Sequence, residues 1–334
     1  GAVLTGFGAP GYFRWDWEEN DWNPLETTNS GDLTAHHLAY FDDSVEAVEP
    51  PWTTRFMAAA GNAVFRSDWS PDALWLLLVA EHGSARKTLH DHVDGTSFSL
   101  AAYGEYLLID TGYYKPSQLD NARTADAPAH NVILIDGQGA PDKGLLNDFG
   151  DADAFIENTL DAGAFDYAEA RQTYRQTTIT RAVVFARQRY FVIADRLESE
   201  YPEDRQHSFR LHGNAGLDAG GTASWEANRC SFERQQAGVE VFLNSTAGVP
   251  QFTEPTFVEL DAPYVHEFDE QRKVGHHQVL DGNISARAPG YLAVLVPYRV
   301  GAEQGDPEGK LEVQQLDSDP SMAAWLVSTT DGDD

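Results

Sequence analysis

From Trp52 to Ser328 the sequence is a succession of short apolar segments broken by Gly, Pro, Asp and Asn clusters, and this pattern limits the fold more than any other feature. The segments are Ala63–Ser67, Leu74–Ala80, Thr96–Tyr103, Tyr106–Thr111, His130–Ile135, Tyr167–Gln176 and Thr177–Ala186. Tyr190–Asp195, His207–His212, Val239–Leu243, Tyr291–Tyr298, Leu311–Leu316 and Ala323–Ser328 follow. They are rich in β-branched and aromatic residues, which fit a pleated, half-buried surface. The longest strongly apolar stretch, Leu74-Trp75-Leu76-Leu77-Leu78-Val79-Ala80, is the length of a strand. No 3.6-residue stripe or fixed-period repeat competes with this reading. Tyr103-Gly104-Glu105 predicts a hairpin turn. Many short strands joined by turns predict an all-β chain, a sandwich or a barrel.

The first fifty residues follow a different pattern. Trp15-Asp16-Trp17-Glu18-Glu19-Asn20-Asp21-Trp22 and the polar run from Glu26 to Asp32 are predicted to be irregular, with a short helix or turn over Leu33–Phe41. Pro50-Pro51 closes the region as a rigid breaker. Residues 1–51 are thus expected to be a connector and 52–334 the β domain, ending in a solvated acidic tail at Asp331-Gly332-Asp333-Asp334. The start at Gly1, without a basic stretch leading into an apolar one, is read as a processed or truncated chain.

Charge narrows the partners. The 334 residues carry 53 acidic against 23 basic side chains, a net −30, which repels nucleic acid. Such a surface is either an adaptation to high salt, where screening shortens repulsion, or simply acidic. No apolar run approaches the length needed to span a bilayer, so no membrane span is expected. Cys230 is the single cysteine, which excludes an intrachain disulfide or a CxxC metal site.

The residues that can do chemistry gather in three places. In Arg86-Lys87-Thr88-Leu89-His90-Asp91-His92, an extended backbone puts His90 and His92 on one face. Asp110 ends the apolar run Leu107-Leu108-Ile109, an odd place for a carboxylate without a partner. Ala129-His130-Asn131 opens a buried-looking strand. By spacing alone, HxH, then Asp, then His fits either a metal site or ordinary polar residues at strand ends.

Taken together, HxHxDxxSFxLxAxGExLLxDxG and AHNxxxxDG resemble the signature of the heparinase II/III-like family. The resemblance extends upstream into Ala60-Gly61-Asn62-Ala63-Val64-Phe65-Arg66-Ser67-Asp68-Trp69. Downstream it takes in Thr180–Arg187 and Tyr190–Leu197. It implies an antiparallel β-sandwich that is normally paired with an α/α-toroid. It also implies cleavage of uronic-acid-containing polysaccharides by β-elimination. Residue by residue, His90 matches the catalytic histidine of the sandwich side. His92, Asp110 and His130 match a metal triad usually described as zinc, with Asn131 beside it to orient the last ligand. The family's catalytic Tyr belongs to the toroid, which is missing here, so the isolated chain is expected to be inactive or weak. A secreted or periplasmic location follows from the substrate class alone.

β-Elimination needs a group that neutralises the uronate carboxylate, a base for the proton at C5 and an acid for the leaving oxygen at C4. Arg86, Lys87 and Arg123 are the cations near the motifs that would hold an anionic sugar, or they are solvated surface charge. The alternative is a non-catalytic carbohydrate-binding or structural module. A cupin-like site is disfavoured, because the first Glu after His92 is Glu105 and no PxG precedes His130. Tyr113 and Tyr114 are expected to pack, Trp15, Trp17 and Trp22 to anchor the connector, and His207 and His212 to be satisfied structural histidines. His276-His277 is read as a surface loop, with metal binding as the alternative, and His36-His37 as lying near an inter-domain face.

Overall fold

The computed structural model describes residues 11–12, 14–15, 44–83, 92–112, 125–141, 153–186, 188–255, 261–262, 275–301, 311–316 and 324–329. The chain separates into two compact units, Gly1–Thr53 and Thr54–Asp334. In the first, residues 11–12 and 14–15 are helical. The Val48 amide donates to the Gly11 carbonyl, and the Tyr12 and Trp52 rings meet edge to face at 4.8 Å. Leu33–Phe41, His36-His37, Trp17 and Trp22 lie outside the described residues, as do the last residues of the acidic tail.

The second unit is all-β and antiparallel. In chain order its strands begin β1 (Arg55–Met57), β2 (Asn62–Arg66), β3 (Trp75–Val79), β4 (Phe98–Ala102), β5 (Glu105–Leu108), β6 (Ile133–Ile135) and β7 (Ala154–Asp161). They continue β8 (Phe165–Tyr174), β9 (Thr177–Ala186), β10 (Tyr190–Ser199), β11 (Arg205–Gly213), β12 (Thr222–Glu226), β13 (Arg229–Glu233) and β14 (Ala237–Ser245). The last are β15 (Gln251–Thr253), β16 (Asp261–Ala262), β17 (Gly275–His276), β18 (Gln278–Ala286), β19 (Tyr291–Arg299), β20 (Leu311–Gln315) and β21 (Trp325–Thr329). One sheet runs β1-β2-β3-β4-β5-β11-β18-β15, with β6 also on β11, and the other β12-β13-β14-β19-β10-β9-β8-β7. Two small pairs, β16–β17 and β20–β21, stand apart from them.

Alternation along the strands builds the core. In β3 Leu76 and Leu78 are fully buried while Trp75, Leu77 and Val79 are half-buried on the other face. Phe98, Leu100 and Ala102 of β4 repeat the pattern. The opposing sheet contributes Ile179, Val183, Phe185, Phe191 and Ile193 to the same cluster. Such an inter-sheet core is what the alternating segments predicted. Tyr103 and Gly104 both have positive φ (53° and 81°), so the β4–β5 turn is built as Tyr-Gly suits it. A register shift between Leu100 and Ala101 then lets both Leu107 and Leu108 face inward, which delivers Ile109 and Asp110 beyond the strand end.

Strand β11 decides where the site forms. Along one side it pairs continuously with β18 from Arg205 to Gly213. Its other side is divided: β6 covers His207–Phe209, and β5 meets it only at Gly213. The break, opposite Arg210–His212, is filled by two incoming segments. The Arg210 amide donates to Val132, and the Ile109 amide donates to the His212 carbonyl. Both segments carry residues singled out by the sequence.

Candidate metal centre

His92, Asp110 and His130 come together from three separate segments, with one ligand atom from each lying within 4.8 Å of the others. His130 is fully buried, and its Nδ1 lies 2.7 Å from Asp110 Oδ2. The Asp110 side chain is 38% exposed, so the cluster opens to solvent on that side. Its other oxygen, Oδ1, accepts the Gly112 amide at 2.7 Å. The His92 and His130 rings sit 5.3 Å apart, centroid to centroid. Among the described residues, the buried His130 Nε2 has no well-formed hydrogen bond. An orphaned buried imidazole nitrogen is costly and calls for an explanation. A His/Asp/His set whose ligand atoms converge in this way suits a divalent transition metal, so the residues fit such an ion.

The electrostatics of the pair are reciprocal. Burial alone would push the Asp110 carboxyl up. The His130 charge and hydrogen bond, the Gly112 amide and His92 outweigh it and hold the carboxyl below its ordinary range. Burial would lower His130, but Asp110, with help from Asp94, raises it above the usual imidazole value. An acidic carboxylate and a basic imidazole in contact form a charge-assisted hydrogen bond. A cation entering the cluster competes for the same electron pairs as the proton.

Asn131 is fully buried. Its side chain plugs the break in the sheet. Nδ2 donates to the Phe98 and Ile109 carbonyls at 2.7 and 3.0 Å, and Oδ1 accepts the His212 amide at 2.7 Å. Its backbone amide donates to Ser97 Oγ at 3.2 Å. One side chain therefore ties the backbones beside Asp110 and His130 to β4 and β11, with no hydrogen bond to a triad side chain among the described residues.

The segment preceding it is clamped from below. Arg210 forms a bidentate pair with Asp281, its register neighbour on β18, at 2.8 and 2.7 Å, and donates to the Pro128 carbonyl at 3.0 Å. His212 Nε2 also meets that carbonyl at 3.0 Å, while its Nδ1 lies 2.9 Å from His277 Nε2. His212 is thus a satisfied buried histidine, as the sequence led one to expect. His207 departs from that expectation: it is equally buried, burial lowers its pKa, and neither ring nitrogen has a well-formed hydrogen bond among the described residues. His277 is a correction: it is 2% exposed and belongs to this buried pair, not to a surface loop. Polar flanking residues hid it.

His90, Arg86, Lys87, Arg123, Tyr113 and Tyr114 lie outside the described residues. The described chain stops at Gly83, whose amide donates to Asp153 Oδ2, and resumes at His92. The Val93 amide then donates to the Ala125 carbonyl, linking the His92 segment to the chain before His130.

The family model "Heparinase II/III-like, C-terminal" matches residues 49–306, which include the whole triad. The chain belongs to the heparinase II/III-like family. Among curated protein sequences, none matches it. Its fold is similar to that of a solved heparinase III gene product (TM-score 0.62, 15% identity, covering 91% of this chain and 46% of that one). It is likewise similar to heparan sulfate lyase HepC from Pedobacter heparinus (TM-score 0.61, 15% identity, 96% and 48%). A further heparinase III structure matches with TM-score 0.62 at 15% identity, covering 85% and 44%. This heparinase II/III-like chain spans about half the length of those structures. Among the described residues, no helix is long and apolar enough to cross a membrane.

Proposed function

We propose that this chain is the β-sandwich part of a polysaccharide lyase that cleaves uronic-acid-containing glycans by β-elimination. The convergence of His92, Asp110 and His130, inside a domain matched by the family model, carries the reading. These three residues would hold a zinc ion, which when bound supplies fixed positive charge beside the substrate and shapes the site. His90, two residues before His92 in the sequence, takes the C5 proton or neutralises the uronate carboxylate. Arg86, Lys87 and Arg123 hold the anionic sugar, local cations outweighing the distant and screened acidic surface. The acid for the leaving oxygen comes from a helical toroid domain, as in the arrangement the family resemblance implies. The substrate class points to a secreted or periplasmic protein.

The second reading, a non-catalytic sugar-binding module, draws on the chain's half-length match to the lyase structures. The two separate on product formation. The chain, alone and joined to a toroid, is incubated with uronans and followed by the ultraviolet absorbance of an unsaturated uronate. The lyase reading expects product with the toroid present, abolished by His90→Ala. Binding without product, in both forms, would replace it with the module.

A further inference from the structure

Arg181 heads the large side chains that are fully buried, and it comes from the sheet opposite the triad. On β9 it is the register neighbour of Asp195 on β10, and the two form a bidentate pair, Nε–Oδ1 and Nη2–Oδ2 both 2.8 Å. That pairing uses two of the three guanidinium nitrogens. The third, Nη1, crosses the sandwich and donates to the carbonyls of Thr96 (2.8 Å) and Asn131 (2.6 Å). These carbonyls lie four residues after His92 and one after His130. The Phe98 and Phe209 rings flank the guanidinium at 5.3 and 5.2 Å, so it has little freedom to aim elsewhere.

Two further observations point to the same place. A buried ion pair contributes little net stability compared with apolar residues of the same volume, so its value lies in what it holds. Thr96 has φ +69°, a left-handed conformation that a β-branched residue rarely adopts, and its buried Oγ1 has no hydrogen-bond partner among the described residues. Such a conformation persists only where the surroundings enforce it, and Arg181 grips the carbonyl of that residue.

We propose that Arg181, held by Asp195, is a positioning residue for the His92–Asp110–His130 site. From the opposite sheet it fixes the separation of the two histidine-bearing segments. This rests on the triad being a metal site, although Arg181 itself forms no hydrogen bond with a triad side chain among the described residues. Its single Nη1 acts through Thr96 and Asn131.

The test measures Zn²⁺ and Co²⁺ affinity for the wild type, Arg181→Lys and Asp195→Asn, with the unfolding midpoint of each in chelator. A lysine keeps the charge, but one ammonium does not reproduce the planar fork that serves Asp195 and both carbonyls. We expect both variants to unfold cooperatively, to lose metal affinity by about ten- to a hundredfold, and to show a changed visible Co²⁺ spectrum. Folded variants with wild-type affinity and spectrum overturn the proposal. Should Arg181→Lys not fold, Asp195→Asn decides, being the same shape. Absence of Zn²⁺ binding by the wild type would overturn the metal reading instead. Positioning is then read in the metal-free protein from the imidazole N–H resonance of His130 bonded to Asp110. Loss of that resonance in the folded variants supports Arg181 as a positioning residue, and an unchanged resonance refutes it.

Discussion

Replacing Arg210 by Met tests whether the polar groups beneath the site form a charge-balanced unit. The Arg210 and Asp281 side chains are 1% and 8% exposed, so water does little to screen either. Methionine fills much of the arginine stem but leaves the Asp281 carboxylate without its two donors and the Pro128 carbonyl without one. Removing one partner of a buried pair costs about 3–5 kcal/mol, because the remaining charge stays desolvated. Converting Asp281 to Leu as well removes that charge, leaving chiefly the under-satisfied Pro128 carbonyl, at about 1–3 kcal/mol. The double variant is therefore expected to be more stable than Arg210→Met alone, a favourable coupling seen only in a full cycle. Equilibrium urea unfolding in chelator reads this directly. With an m-value of about 2 kcal/mol/M, the single change lowers the midpoint by roughly 1.5–2.5 M. A single-variant cost below about 1 kcal/mol, or a double variant less stable than the single, would refute the reasoning.

Two other outcomes follow from the packing and from burial. A Cβ on Gly213 would lie 1.9–2.4 Å from ring atoms of Phe232, which is fully buried on the opposite sheet. Gly213→Ala is expected to cost about 1–3 kcal/mol or more by overpacking, with Phe232→Leu recovering part of it in chemical denaturation; no recovery would place the strain elsewhere. Burial, with His277 and Arg210 nearby, holds His212 well below the ordinary imidazole range, so the fold keeps it neutral. The unfolded chain, with an imidazole pKa of about 6.5, therefore takes up that proton first as pH falls. The His212 contribution is full above about pH 6.5 and is lost as the pH drops through it towards the folded value, at up to about 1.4 kcal/mol per pH unit. Unfolding midpoints between about pH 7.5 and 5 in chelator should fall more steeply for wild type than for His212→Gln, and parallel slopes would exclude this source.

The strands with strong alternation, such as β3, β4, β9 and β10, were legible because one face of each must be apolar. Those that were missed are polar or short. Gln278–Ala286 contains Asp281, Gly282 and Asn283 and lacks an apolar alternation, yet β18 is buried along Gln278–Gly282, where Asp281 is paired with Arg210 on β11 and the Gln278 side-chain amide donates to Glu254. β12 and β13 are short; β12 is largely exposed, and β13 buries only Cys230 and Phe232, too few apolar residues to stand out as a strand. The triad residues were legible because each is chemically conspicuous where it stands. The supporting ion pairs were not, since Arg181 with Asp195 and Arg210 with Asp281 are neighbours only through register. One signal was present: Arg181 falls on the same parity as Ile179, Val183 and Phe185, which puts a cation on the core face of β9. Counting parity along that strand would have found it.

The most direct measurement is the metal content of the purified chain, set against His92→Ala and Asp110→Ala. The account predicts about one equivalent of zinc per wild-type chain and its loss in both variants, with cooperative unfolding retained. A wild-type chain that takes up no metal from zinc-containing buffer, or variants that bind it as the wild type does, would contradict the assignment of His92, Asp110 and His130.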